Sequence, residues 1–550
     1  MTSKASIRPC LNQAYLLGLL MVAVGLTLSP FLMGMSQFWL VLVWVVNGIV
    51  TKDFKQKLSS FWHNKAAVLL VAFYFMHVVG LLWTSDFQYA LKDLRVKLPI
   101  LVMPFVLSSM EPLDRKRFNL VMLVYVLSVF IATQFSFFSY LKHDYEDIRE
   151  ISHFISHIRF CLNIVFCMEA VGYYVYKDVS TSSTTLKKQA HEPVEGPSHF
   201  SIKAAIDRLL RWFLLLWFAY VIFFFESLSG YVILAAVVLA TVLYAFLQWK
   251  KGRGWRIALG ISALVIIVAV VVVVVVVIKP MLEVKPVDFN TLEKKTAQGN
   301  FYWHDTIHNP VEDGKYVGLY YNRNELREAW SQRSDLSFEG NTANGEILEA
   351  TLARYLTSKD LRKDAEGVMA LTDEDIKNIE QGVSNYNNWK HPGLRARLSS
   401  TLFEYNLYRR FNNPNGGSLS QRLEYTRASL HLIGKHPWFG VGTGDVPQSF
   451  AQTYNEINSP LKEEFRFRAH NQYLAIAVAF GLVGLAFFLF VLFYPWLSSK
   501  RHHTYLYMVF LCIMLLSMFP EDTLETQAGV TLFAFFEALL LFARPASCHE

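Results

Sequence analysis

Two polar residues, His470 and Asn471, stand at the head of a long apolar run in "RAHNQYLAIAVAFGLVGL". Imidazole changes charge nearest neutral pH, so at a membrane mouth it can orient a hydroxyl group or take its proton. The bland alternative is a polar cap on a helix that enters the bilayer. Two arginines raise a related question. Arg159 opens the apolar part of "SHIRFCLNI", and Arg422 begins the helical pattern in "QRLEYTRASLHLIGKHPWFGVGTGD". A guanidinium group stays charged and presents a planar fork of donors, which suits paired hydrogen bonds to phosphate oxygens. Against this, Arg159 would serve equally as an interfacial anchor, and Arg422 as a solvated surface residue.

Other patterns are weaker. "HDTIHNP" sets His304 and His308 four apart, but no third ligand is near and a proline follows, so zinc is not expected. Arg427 and His431 share a helical face that is turned away from Arg422. "GVGTGD", from Gly440 to Asp445, follows a helix rather than a strand, so it fails as a dinucleotide fingerprint. It reads as a turn that packs against the membrane mouth. Glu521, Asp522 and Glu525 form an acidic cluster whose partners stay open: the arginines, an acceptor or a cation. Five cysteines (Cys10, Cys161, Cys167, Cys512, Cys548) are scattered singly, which indicates neither a disulfide framework nor a metal site.

The elements that must position these residues are membrane helices. The chain has 550 residues, 53% hydrophobic and only 18% charged, a bias too strong for a soluble protein of this length. Its net charge of +7 does not point to nucleic acid, because the basic residues gather in short links between apolar runs. A span needs roughly 20 apolar residues. Candidate segments fall near 12–30, 32–50, 66–83, 98–110, 118–138, 158–176, 212–226, 231–248, 257–279, 471–495, 504–519 and 528–543. The first two read as a retained helical hairpin, not a cleaved signal. The expected fold is an all-α polytopic membrane protein of about 12 transmembrane helices, with both termini cytoplasmic.

Inner links carry Lys52, Lys55, Lys57 and Lys65, then Arg115, Lys116 and Arg117, whereas the outer "ESLSG" and "PEDTLETQ" have no Lys or Arg. Lys92, Arg95 and Lys97 fall in an outer link against this trend, so contact with a phosphate or lipid headgroup is expected of them. The expected domains are transmembrane helices 1–9 over 1–279, a large and mainly helical periplasmic domain over 280–469, and helices 10–12 over 470–550. Within that domain, Thr372 with Asp375 predicts a capping box, and the apolar stripe of "EILEATLARYLTSK" predicts packing. The linker 177–201 reads as an inner loop.

His470 and Asn471 are followed, after nine residues, by Gly481 and Gly484. This "H-N, nine residues, G-x-x-G" pattern, with the preceding "HPWFGVGTGD", resembles the bacterial O-antigen ligase family, including its polymerase relatives. "SHIRFCLNI" and "LLWTSDFQYALKDLRVKLP" match as well, and "ELREAWSQRS" through "EDTLETQAGV" resembles the Bacteroidetes-type branch. The resemblance implies a GT-C-like glycosyltransferase of the bacterial inner membrane. It would act at the periplasmic face, moving a glycan from undecaprenyl diphosphate to lipid A-core by an inverting, metal-independent reaction without a cofactor. It makes His470, Arg422 and Arg159 the expected catalytic residues, with Lys92, Arg95, Lys97 and Asn471 binding substrate. A repeat-unit polymerase and a protein O-oligosaccharyltransferase share the donor and stay open as alternatives. A lipid-linked sugar flippase is the rival of another class; it would carry its charges inside the spans.

Overall fold

Ser29 and Pro30 divide the first apolar stretch into two helices, Thr2–Leu28 and Pro30–Thr51. The Ser29 side chain accepts a hydrogen bond from the Leu32 N–H, and Pro30 sits at the first turn, where its missing N–H costs nothing. Trp39 Nε1 donates to the Ala14 carbonyl at 2.8 Å across the hairpin. The computed structural model describes residues 2–143, 148–189, 202–225, 227–248, 274–284, 286–498 and 504–544. Helices follow at Phe54–His63, Lys65–Val79, Phe87–Ser109, Arg115–Lys142, His157–Gln189, Ile202–Phe224 and Leu228–Gln248, then at Gln472–Ser498, Tyr505–Ser517 and Gln527–Ala538.

Six described helical segments are long and apolar enough to cross a membrane, and Leu228–Val242, Tyr505–Ser517 and Gln527–Ala543 are shorter apolar helices. One expected span differs for a visible reason. The 98–110 segment is the second half of Phe87–Ser109, whose first half carries Lys92, Asp93, Arg95 and Lys97. Most of the expected span 257–279 lies outside the described residues.

The chain forms two compact units. The first takes Met1–Leu259, Tyr425–Ile457 and Phe467–Glu550; the second takes Gly260–Glu424 and Asn458–Arg466. Tyr425–Ile457, within the segment 280–469, packs with the apolar helices. Its Gly-rich turn is the cause. Gly481 interrupts the helix Gln472–Ser498 with φ 67° and ψ −169°, a region open in practice only to glycine. The break frees backbone groups that lipid could not satisfy. The turn supplies the partners: Val441 and Gly442 N–H donate to the Val478 and Ala479 carbonyls at 2.9 Å each, and Leu482 N–H donates to the Pro437 carbonyl at 2.7 Å.

The fit leaves no room for a side chain. A Cβ on Gly481 would lie 2.2 Å from the Trp438 carbonyl carbon, and one on Gly440 (φ 67°) 2.4 Å from Ala479. Gly481→Ala should therefore lower stability by on the order of 3 kcal/mol, from clash and strain together. Thermal unfolding in detergent checks this, with Gly434→Ala, whose Cβ meets nothing within 4 Å, expected to unfold like the wild type or slightly higher.

The second unit has its own core around Trp330, Leu352, Tyr355 and Leu356. The predicted capping box forms: Thr372 accepts from Asp375 N–H, and Asp375 accepts from Thr372 N–H, opening Asp373–Glu380. The apolar stripe of Leu348–Ser358 faces this core. A small ribbon pairs Val311–Glu312 with Lys315–Tyr316, and the buried Glu312 carboxylate accepts from Arg354 at 2.9 Å.

Candidate active site

His470 occupies the residue before a helix N-cap. Asn471 Oδ1 accepts from the Leu474 N–H at 3.0 Å, and Asn471 Nδ2 donates to the Phe519 carbonyl at 2.8 Å. One hydrogen bond at each end of the Asn471 amide thus starts the helix and holds the 518–526 loop. His470 itself has φ 43°, a left-handed conformation that costs a side-chain-bearing residue about 1–2 kcal/mol. Its ring stacks on Tyr425 (5.3 Å between centroids, 28°) and meets the edge of Phe467 at 6.1 Å.

The 518–526 loop brings the acidic cluster to this ring. Glu521 Oε2 lies 3.8 Å from His470 Nδ1, a nitrogen that is buried without a hydrogen-bond partner. Asp522 pairs with Arg468, Nε to Oδ2 at 2.6 Å. Arg468 also reaches Glu525 Oε2 at 3.4 Å, the Glu525 carbonyl at 3.3 Å and Tyr89 Oη at 3.3 Å. Behind it, Lys97 Nζ bonds Asp93 at 2.5 Å and Glu525 at 2.8 Å. Gln472 completes the latch, donating to Glu525 at 3.2 Å and accepting from the Leu524 N–H at 2.6 Å. The unplaced acidic residues of the sequence therefore serve the cations and the histidine.

Burial works against the charge of Glu525, yet Lys97 and Arg468 hold its carboxyl well below the usual carboxylate range. Burial likewise disfavours the Arg468 cation, and Glu525 and Asp522 more than restore it. For Asp522 burial wins, and its carboxyl is pushed up despite Arg468.

Arg159 joins the same electrostatic field. It stands in the first turn of His157–Gln189, where its charge interacts with Glu521, Asp522 and Arg468. Its Nη1 donates to Ser156 at 2.7 Å, while its Nε is buried without a partner. The rest of "SHIRFCLNI" fixes it. Asn163 Nδ2 donates to the Arg159 carbonyl at 2.8 Å and its Oδ1 accepts from Tyr125 at 2.7 Å. His157 Nε2 donates to the Phe225 carbonyl at 3.0 Å, tying in the next helix.

The other expected residues fall differently. Lys92 and Arg95 lie exposed on Phe87–Ser109, whereas Lys97 points inward with a side chain only 1% exposed. Its ammonium meets two internal carboxylates, Asp93 and Glu525. Arg422 is half-buried on the helix Ser418–Lys435 and belongs to the second unit. His431 and Lys435 both reach Glu456, at 3.4 and 2.5 Å, which makes that face an ion-paired surface. In His304, Nε2 donates to the Glu293 carbonyl at 2.9 Å and Nδ1 accepts from Tyr320 N–H at 3.1 Å, so neither nitrogen is left for a metal.

His470, Glu521 and Asp522 place three ligand-type atoms within 4.8 Å of one another. That spacing would accommodate a divalent cation, but Arg468 already sits on Asp522. A metal ion would have to compete with that guanidinium group. The arrangement suits an imidazole backed by a carboxylate, with fixed cations beside it to receive negative charge. Sequence reasoning misses Arg468 and Tyr425, because nothing local marks their partners.

Among known families, residues 374–489 match the model described as O-Antigen ligase. The matched stretch contains the Gly-rich turn, His470 and the break at Gly481. No curated protein matches the chain.

Proposed function

We propose, for a chain whose residues 374–489 match the O-antigen ligase family, a membrane glycosyltransferase that moves a glycan from undecaprenyl diphosphate to lipid A-core. The observation that carries this reading is His470: a strained imidazole backed by Glu521, beside Arg159 and Arg468, at the mouth of an apolar helix. Such a donor keeps its lipid tail in the bilayer and its diphosphate at the interface, where positioned cations are needed.

In the proposed reaction the acceptor hydroxyl attacks the anomeric carbon opposite the diphosphate. A carbon–oxygen bond forms, the bond to the diphosphate breaks, and the electron pair leaves with the phosphate oxygen. His470 Nε2 orients the hydroxyl and takes its proton, while Glu521 stabilises the imidazolium that results. Arg159 neutralises the growing charge of the leaving group, as preorganised electrostatic groups do. Arg422 takes the donor-phosphate role the family pattern gives it, and Lys92 and Arg95, exposed on their helix, contact headgroups. Displacement from the opposite face inverts the anomeric centre. Because guanidinium groups supply the positive charge, transfer should survive a chelator.

A deletion strain separates the acceptors. Loss of long chains from lipid A-core, with the polyprenyl-linked polymer retained, supports the ligase. Shortened polymer on the carrier would make the chain a polymerase, and normal lipopolysaccharide with missing protein glycans would make it an oligosaccharyltransferase.

A further inference from the structure

A wide basin of about 1550 Å³ lies in the first unit at the opposite end of the helices from His470. Pro30–Thr51 and Lys65–Val79 fix this polarity. Gln527, two residues past Glu525, reaches the Pro30 carbonyl, and His77 closes the far end of its helix beside Lys97 and Glu525. Thr51 and Lys65 line the basin.

Its wall is strongly cationic: Arg8, Lys52, Lys55, Lys57, Lys65 and Arg117 line it, against Asp53 and Glu111. Two of these lysines are held in costly positions. Lys57 has a side chain only 6% exposed, and its ammonium meets a neutral amide (Asn47 Oδ1, 2.7 Å), a thioether (Met110 Sδ, 3.1 Å) and one carboxylate at 3.9 Å, Asp53. Burial lowers its pKa, with Asp53 and Glu111 opposing, so an added anion would restore its charge. Lys52 caps Pro30–Thr51 with φ 57°, a left-handed position that glycine usually fills.

The neighbouring helix Phe54–His63 adds an apolar flank. Phe61 and Lys57 turn inward, while Leu58 and Trp62, four apart on one face, are 40% and 66% exposed. Tryptophan at such a position is a typical interfacial anchor. We propose that this basin is a binding site for an anionic phospholipid, its headgroup phosphate held by Lys52, Lys55 and Lys57 and its acyl chains lying along Leu58 and Trp62. Basic pockets between membrane helices recognise such headgroups.

The test uses the full chain in detergent, with native mass spectrometry of bound phosphatidylglycerol and phosphatidylethanolamine offered in equal amounts. The expected result is selective retention of phosphatidylglycerol, reduced about fivefold for each basic residue removed. The informative variants are Lys52→Gly and Lys55→Gln. Lys52→Gly puts the favoured residue at the left-handed cap, so its thermal unfolding should be unchanged or higher while lipid retention falls. Three outcomes overturn the proposal: equal retention of both lipids by the wild type, full selectivity in the double variant, or displacement of the lipid by millimolar inorganic phosphate, which would mark a free-anion site. None of these readouts depends on glycan transfer.

Discussion

His470→Gly should leave the protein folded and cut glycan transfer by about 10²–10⁴-fold, the range for removing a positioned general base. Glycine is the informative replacement because His470 adopts φ 43°. It relieves a backbone cost of about 1–2 kcal/mol while giving up the ring stack on Tyr425, so little net change in thermal unfolding is expected. His470→Ala keeps the strain and loses the ring, and should be both inactive and less stable. A histidine that only capped the helix would give the opposite pattern, with transfer intact in the glycine variant. Here the cap is the neighbouring Asn471. Rates measured with a lipid-diphosphate-linked glycan, beside melting curves for both variants, separate the two roles.

Glu525→Ala should be the most destabilising single change near the site, by about 3–5 kcal/mol, because it leaves buried cations without their partner. Lys97 has a side chain 1% exposed and Glu525 only 11%, and Arg468 shares the same carboxylate. Replacing the pair together, Lys97→Met with Glu525→Leu, should cost less, since Arg468 keeps Asp522 and only Asp93 loses its cation. The acid limb of stability carries the same signature. Glu525 is held below its ordinary value, so its contribution is complete above the normal carboxylate range. It is lost only as pH falls through that depressed value. The wild type should therefore lose stability more steeply in strong acid than the double variant does, as measured by unfolding across pH.

Features set by neighbouring residues are legible in the sequence. The apolar runs give the helices, Ser29 with Pro30 gives the first turn, and Thr372 with Asp375 gives a capping box. The glycines of "GVGTGD" are readable as a packing turn, but not that they fill a break at Gly481. Features set by distant partners are not legible. Lys97 looks like an exposed cation in a link, yet it lies within a helix and bonds Glu525, 428 residues away. Asp445, which reads as the end of the turn, accepts from Ser85 and Asp86 N–H at 2.8–3.0 Å. The docking of Tyr425–Ile457 is hidden for the same reason, because it depends on backbone carbonyls that no side-chain pattern records.

We propose that covalent transfer is carried out by His470 with Glu521 behind it and the Arg159 and Arg468 cations nearby. Purified protein in lipid nanodiscs, given a fluorescent undecaprenyl-diphosphate glycan and lipid A-core, tests it directly. The expected result is one labelled product on the acceptor and an equal amount of free undecaprenyl diphosphate, undiminished by chelator and absent with His470→Gly. Unchanged product formation by folded His470→Gly would contradict the account, as would wild-type protein that moves the intact donor across a bilayer without breaking its glycosyl–phosphate bond.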